Sequence, residues 1–150
     1  MRITLSLLLT FFSSFLFAQE PVLDSTTNDN ILKTFITKLA DENIATDVIL
    51  SQYLIIEEPS DDMYDYLEVS LDEIRINLMS KNIDEINYIP YNKMPNKEIK
   101  DIDLENLNPN DVYFLHYKER QMLAIYLENG KIGSFTLVAN GNGKAHFVLY

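Results

Sequence analysis

The dipeptide Asn129-Gly130 restricts the fold of this chain most, because both residues tolerate the positive φ angles of a two-residue type I′ turn. The flanking residues are rich in β-branched and aromatic types and predict strands over 121–128 and 131–139. A two-residue turn fixes the strand register, so simple alternation assigns the side chains of both strands to faces. The sequence therefore predicts a β-hairpin at the centre of a C-terminal sheet.

Three further segments extend this sheet. Residues 112–118 and 144–150 predict strands on either side of the hairpin, and the glycines within 140–143 predict the last turn. Residues 86–91 predict a short strand at a sheet edge, because Pro90 has no N–H to donate. We therefore expect an antiparallel meander of four to five strands, preceded by a polar connection.

The segments that precede the sheet show helical spacing instead. Apolar residues recur at intervals of three and four over 31–39, which predicts a first helix. Residues 47–56 fit either a strand or a short helix, and the helix is favoured. The clearest helix begins after Ser60, a good N-cap, and ends near Lys81. Its predicted buried stripe consists of Leu67, Leu71, Ile74 and Leu78.

The fold class predicted from this order is α+β, with two or three N-terminal helices packed on a C-terminal antiparallel sheet. The order of elements resembles that of NTF2-like domains and, more loosely, of cystatin-like domains, although no single residue marks either family. Fold analogy of this kind assigns no function. Residues 30–150 are expected to form one domain, and residues 19–29 a flexible lead-in.

The N-terminal 18 residues have the pattern of a secretory signal peptide. Arg2 is followed by an uncharged apolar run over 3–17, and the small residue Ala18 marks a cleavage site. The alternative is a retained membrane anchor, but the run is shorter than the roughly 20 residues that a spanning helix needs. We therefore expect an exported protein, periplasmic or extracellular, with no stable membrane anchor after cleavage.

The composition limits which partners the chain is expected to bind and which chemistry its side chains can perform. The chain has 23 acidic and 12 basic residues, a formal net charge of −11, and no cysteine. Nucleic acid is therefore not an expected partner, because a phosphate backbone repels such a chain. Disulfides and cysteine nucleophiles are excluded, and no cofactor is expected.

Alternation divides the predicted sheet into two faces, with Leu127 opposite Ile132 and Tyr126 opposite Gly133. The first face is mainly aliphatic and suits a core covered by helices: Val112, Phe114, Leu123, Ile125, Leu127, Ile132, Val138, Ala145, Phe147 and Leu149. The second face is apolar and rich in tyrosine: Tyr113, Leu115, Tyr117, Met122, Tyr126, Phe135, Leu137, His146, Val148 and Tyr150. A one-residue shift at the Glu119-Arg120 turn would exchange the faces of the first strand.

The tyrosine-rich second face is the candidate ligand or partner surface. Its site residues are Tyr113, Tyr117, Tyr126, Phe135, His146 and Tyr150. Tyrosine combines an apolar ring with a polar tip, and it suits surfaces that are only partly wet. Three explanations stay open for this face: a curved sheet that buries both sides, a homodimer interface, or a ligand pocket.

Motifs for catalysis and metal binding are weak in this sequence. Residues 101–112 lack the glycine and the final glutamate of a calcium loop, and residues 141–144 lack the spacing of a phosphate loop. The acidic residues of 57–65 are expected to be solvated, and no metal site is predicted. His116 and His146 are assigned to opposite faces, which leaves His146 as a weak candidate for a catalytic base.

The function predicted from these features is a binding or accessory module of an exported protein, acting through the tyrosine-rich face. The two alternatives are a homodimeric interaction module that uses the same face, and a small pocket enzyme with a His/Tyr acid–base site. An enzyme is the less favoured class. The identity of a protein or small-molecule partner is not predicted.

Overall fold

The computed structural model describes residues 25–150, so the predicted signal peptide at 1–18 and most of the lead-in lie outside the described residues. Helices precede strands along this part of the chain, which confirms the α+β class. The helices are α1 (Ser25–Ala40), α2 (Thr46–Tyr53), α3 (Asp61–Met79) and the single turn α4 (Asn96–Ile99). The strands are β1 (Asn87–Pro90), β2 (Val112–Tyr117), β3 (Arg120–Glu128), β4 (Lys131–Ser134), β5 (Leu137–Ala139) and β6 (Ala145–Phe147).

Helices α2 and α3 begin within one residue of the positions that the sequence predicts. The hydroxyl of Ser60 accepts a hydrogen bond of 3.2 Å from Met63 N, and this cap starts α3. Helix α2 confirms the favoured interpretation of its segment. After Tyr53 the chain becomes extended, and Ile55 N donates to Ile132 O beside β4. Helix α1 begins at Ser25, so the end of the predicted lead-in is helical.

Strands β1 to β4 form one antiparallel sheet in the order β1-β2-β3-β4, and β1 lies at an edge as Pro90 requires. The predicted strand 131–139 is interrupted. The prediction that all C-terminal strands form one meander is therefore corrected. Ser134 Oγ accepts from Thr136 N at 3.1 Å, and this local bond turns the chain out of β4. The last two strands, β5 and β6, therefore pair with each other as a separate two-stranded sheet.

Both faces of the larger sheet are buried, and they contact different layers. The first core lies between the sheet and the helices; its buried residues include Leu32, Phe35, Leu39, Ile49, Leu67, Leu71, Leu78, Tyr113, Leu115, Ile125, Leu127, Ile132, Phe135 and Tyr150. The second core lies on the opposite face and contains Met94, Val112, Phe114, Ala124, Tyr126 and Phe147. The 94–111 connection covers this second face with Ile99, Ile102, Leu104 and Leu107, so it is more than a polar linker.

The Asn129-Gly130 turn has the predicted conformation, with φ angles of 48° and 77°. Leu127 lies opposite Ile132 as expected, but Tyr126 lies opposite Ser134 and not Gly133. A bulge between Tyr126 and Leu127 causes the difference. A Cβ on Gly133 would lie 2.9 Å from the Tyr126 ring, so the bulge requires glycine there.

The turn between β2 and β3 is tighter than the sequence indicates. Lys118 and Glu119 both have positive φ, 47° and 64°, and Tyr117 pairs directly with Arg120. A bulge between Leu115 and His116 then shifts the register by one residue, and this shift places Tyr113 opposite Ile125. The predicted faces of β2 are therefore exchanged: Tyr113 and Leu115 contact the helices, and Val112 and Phe114 lie in the second core.

Replacing Lys118 by Asn together with Glu119 by Gly is expected to raise the free energy of unfolding by about 1 kcal/mol, since non-glycine residues are strained at positive φ. Denaturation in urea measures this gain. The control Glu119→Ala removes the charge and keeps the Cβ, and it is expected to change stability by less than about 0.5 kcal/mol. An equal gain from this control would show that charge, not backbone conformation, limits the turn.

Candidate functional site

The six predicted site residues do not form one surface, so the prediction of a shared tyrosine face is wrong. Tyr113, Phe135 and Tyr150 lie in the first core, whereas Tyr126 lies in the second core with its ring 6.5 Å from that of Phe147. Tyr117 is half-buried beside the first core, under the ammonium groups of Lys81 and Lys118. The exchanged faces of β2 and the break after Ser134 separate these side chains.

Tyr150 is engaged in a structural network and not in an open site. Its hydroxyl accepts from Phe135 N at 3.0 Å and lies 2.6 Å from Thr136 Oγ1. The Tyr66 hydroxyl reaches the same threonine from α3 at 3.2 Å. Burial raises the pKa of Tyr150 above its ordinary value. The network therefore ties the chain end to the β4–β5 corner and to α3.

The two histidines lie in separate sheets. His116 is buried on β2, and its Nε2 has no hydrogen-bond partner among the described residues. His146 is half-buried on β6, next to Phe147, which points into the second core. Because side chains alternate along a strand, His146 points away from that core and from Tyr126. The proposed His/Tyr pairing at this position is therefore not formed.

The acidic segment 101–105 pairs with β6 through its backbone and does not form a calcium loop. Asp103 N donates to Ala145 O, and Ala145 N donates to Asp101 O, both at 2.7 Å. The Glu105 N–H donates to the Asp103 carboxylate and holds the pKa of that carboxyl below its usual value. Within residues 25–150 no group of three or more His, Asp or Glu side chains could hold a metal ion.

Buried tyrosines make the stability of the protein sensitive to alkaline pH. Burial is the main cause that raises the pKa of Tyr88, from 10.0 to about 12, with Asp29 and Asp84 adding to it. The unfolded chain loses this proton first as the pH rises, so stability is fully present below pH 10 and is lost as the pH approaches 12. Tyr88→Phe is therefore expected to reduce the fall in unfolding free energy between pH 10 and 12, measured by urea denaturation. A fall unchanged from wild type would contradict this origin.

The most conspicuous exposed apolar surface lies on the outer face of α3, which we name the α3 stripe. Tyr66, Val69, Ile76 and Met79 are 48, 60, 67 and 59 % exposed, although they belong to a well-packed helix. Their spacing of three and seven residues places them on one side, away from the buried Leu67, Leu71 and Leu78. Exposed apolar residues grouped on one side of a helix are candidates for an interaction surface.

Carboxylates surround and interrupt the α3 stripe. Asp72 and Glu73 both fall between Val69 and Ile76 at helical spacing, and Asp65 lies one turn before Val69. Glu73 also lines a cleft of about 230 Å³ between α3 and strands β2 and β3. The other lining residues of this cleft are Ile36, Ile74, Asn77, Leu78, Leu115, Met122 and Leu123. The stripe and the cleft therefore meet at Glu73.

The α3 stripe is visible in the sequence when the apolar residues on both sides of the helix are considered, and not only those on the buried side. The predicted stripe of Leu67 to Leu78 accounts for one side of the helix, and a second set at Val69, Ile76 and Met79 remains after it is removed. Apolar residues on two sides of a helix are typical of a helix that packs against other structure on both sides.

Comparison with protein-family models, with curated proteins and with solved structures finds no match to this chain. Among residues 25–150, no helix combines the length and the apolar character that crossing a membrane requires. The function of the chain is therefore inferred from its own surfaces, and first from the α3 stripe.

Proposed function

We propose that this protein is an exported binding module that holds a basic, amphipathic helical segment of a partner protein on the α3 stripe. The observation that carries the proposal is the exposure of Tyr66, Val69, Ile76 and Met79 on a helix whose opposite side is fully packed. Covering these four side chains would remove apolar surface from water, which is the main driving force of association. A helix laid along α3 contacts residues at this spacing.

Glu73 determines the charge of the partner. It lies between Val69 and Ile76 at the border of the adjoining cleft, so a partner that covers these two residues also removes Glu73 from water. A carboxylate buried in an interface without a cation costs several kcal/mol of desolvation, of order 3–5 kcal/mol when a pair is broken. The partner must therefore place a lysine or arginine opposite Glu73, and Asp65 and Asp72 favour further basic residues at the rim.

A homodimer through the α3 stripe is less favoured for the same reason. A two-fold axis at the centre of the stripe would place Glu73 of one chain opposite Glu73 of the other. Like charges in that position repel, and the formal net charge of −11 adds to the repulsion. The light-scattering mass of residues 19–150, which contain every described element, is therefore expected to be that of a monomer.

Export is the second part of the proposal, and it is supported by the signal-like pattern that ends at Ala18. When the full gene product is expressed in a bacterium with a secretory pathway, the mature protein is expected to begin at Gln19. N-terminal sequencing and intact mass of the material outside the cytoplasm measure this directly. An intact N-terminus on a membrane-associated product would show a retained anchor instead.

The binding test uses two synthetic helical peptides with leucine at heptad positions, one with lysine and one with glutamate at the remaining positions. Residues 19–150 are expected to bind the lysine peptide and not the glutamate peptide, as measured by fluorescence anisotropy. Ile76→Ala is expected to weaken binding about tenfold, since truncating a central apolar contact costs more than 1 kcal/mol. The control Val138→Ala removes another exposed aliphatic side chain, 41 % accessible on β5, and leaves the affinity unchanged.

A charge exchange separates specific recognition from general attraction to an acidic protein. Glu73→Lys is expected to abolish binding of the lysine peptide and to permit binding of the glutamate peptide. Glu42→Lys changes the net charge equally at an exposed position of the α1–α2 loop and should leave the preference as it is. Equal effects of the two substitutions, or a dimer that Ile76→Glu dissociates, would overturn the proposed function.

A further inference from the structure

A second cleft lies where α1, α2 and the Asn129-Gly130 turn meet, and we name it the α1–α2 cleft. Its volume is about 380 Å³, within the range of ligand clefts. The lining residues come from three separate elements: Thr27, Asn30, Ile31 and Thr34 from α1, Gln52 and Tyr53 from α2, and Gly130 and Lys131 from the hairpin.

The lining of the α1–α2 cleft differs in charge from the rest of the protein. The chain carries 23 Asp and Glu residues, yet this described lining contains none of them. The cleft beside α3 contains Glu73, and the cleft between α1 and β1 contains Asp84 and Lys33. Neutral amide and hydroxyl groups are thus concentrated at one place on an otherwise acidic surface.

These polar groups are arranged to donate and accept hydrogen bonds in the same small volume. Asn30 and Gln52 are exposed, and each amide offers donors and an acceptor. The Thr34 hydroxyl donates its proton to Asn30 O at 2.7 Å, which leaves its oxygen to accept from a ligand. A ligand that carries several hydroxyl groups satisfies both kinds of partner at once, whereas an ion satisfies only one.

An aromatic ring forms the apolar part of the cleft. Tyr53 is half-buried, and its ring is held by the ring of Phe35 at 6.0 Å between centroids. Ile31 lies beside it in the lining. Gly130 contributes backbone without a side chain, so no side chain fills the space beside the ring. A rigid aromatic ring next to neutral amides suits a molecule that has C–H groups on one face and hydroxyls at its edge.

We propose that the α1–α2 cleft binds a neutral saccharide, with the sugar ring placed against Tyr53 and its hydroxyls bonded to Asn30, Thr34 and Gln52. The lack of a carboxylate lets the cleft accept a neutral ligand without an unpaired charge, and the single Lys131 can donate to a hydroxyl at the rim. This site is separate from the α3 stripe, and neither proposal depends on the other.

The test is a titration of isotopically labelled residues 19–150 with neutral disaccharides (maltose, cellobiose, chitobiose and lactose), followed by amide chemical shifts. At least one sugar is expected to shift the amides of residues 27–34, 52–53 and 130–131 and to leave those of α3 unchanged. Glucuronate serves as an acidic comparison, and it is expected to cause weaker shifts, because the formal net charge of −11 repels an anion even with Lys131 at the rim.

Substitutions with little steric effect then assign the site. Gln52→Glu and Asn30→Asp introduce a charge at nearly constant shape and are expected to weaken binding about tenfold each. Gln121→Glu and Asn96→Asp make the same changes at exposed positions outside the cleft and should leave the affinity as in wild type. Absence of shifts with every neutral sugar, shifts elsewhere, or equal effects of the control substitutions would overturn the proposal.

Discussion

Replacing Arg75 by methionine is expected to lower the free energy of unfolding by about 3 kcal/mol, because two charge-assisted hydrogen bonds are lost. The guanidinium lies under α1, donating from Nε to Leu39 O at 2.8 Å and from Nη2 to Ile44 O at 2.6 Å. Only 13 % of the side chain is exposed. Leu39 belongs to the last turn of α1, where carbonyl groups have no partner within the helix. Methionine retains the apolar stem but leaves both carbonyls without this donor.

Two further substitutions identify which part of Arg75 contributes. Arg75→Lys keeps the charge, but one ammonium group does not reproduce the fork that reaches both carbonyls, so an intermediate loss is expected. Asp72→Asn removes the ion pair at 3.6 Å and is expected to cost less than about 0.5 kcal/mol, because Asp72 is exposed to solvent. Urea denaturation of the four proteins gives the comparison. A loss from Asp72→Asn as large as that from Arg75→Met would assign the effect to the ion pair.

The parts of the fold that depend on local interactions could be predicted from the sequence. The cap at Ser60 and the apolar spacing of α3 act within the helix itself, and the structure has both. The turn at Asn129-Gly130 depends only on the conformations that two adjacent residues prefer, and it forms as expected. The edge position of β1 could be predicted from Pro90 alone, because proline has no N–H to donate to a neighbouring strand.

The faces of β2 could not be predicted, because they depend on a bulge between Leu115 and His116 that no local residue preference indicates. Lys118 and Glu119 take positive φ angles that such residues seldom adopt, and a longer loop is the expected solution for them. The tight turn that forms instead would by itself keep the predicted faces, and the contacts of Tyr113 and Leu115 with the helices favour the bulge that exchanges them. One shifted residue then moved every β2 side chain to the opposite face.

The predicted tyrosine-rich face is not formed because the strands that were expected to build it do not all belong to one sheet. Tyrosines that alternate along strands indicate a face only if each strand continues in the same sheet, and the chain leaves β4 after Ser134. Met94 and the apolar residues of 99–107 cover the second face, although most of that segment is polar. The α3 stripe, in contrast, depends on helical spacing alone and is readable from the sequence once both sides of the helix are considered.

Tyr150→Phe is expected to lower the free energy of unfolding by about 2 kcal/mol, because it leaves a buried backbone N–H without an acceptor. The Tyr150 side chain is 4 % exposed, and its hydroxyl is the partner of Phe135 N. Its ring packs on that of Phe135, with 5.2 Å between centroids, and phenylalanine preserves this contact. The loss of unfolding free energy therefore measures the contribution of the hydroxyl group and not that of the ring packing. Thermal or urea unfolding of residues 19–150 measures it.

Tyr66→Phe provides the matched control, since it removes a hydroxyl from the same network at an exposed position. The Tyr66 oxygen lies 3.2 Å from Thr136 Oγ1, so this substitution is expected to cost less than about 0.5 kcal/mol. The double variant of Tyr150→Phe with Thr136→Val is expected to lose less than the sum of its single variants, because the two hydroxyls bond each other at 2.6 Å. Additive losses would mean that Tyr150 acts through Phe135 N alone, and that the corner after β4 is held by the backbone.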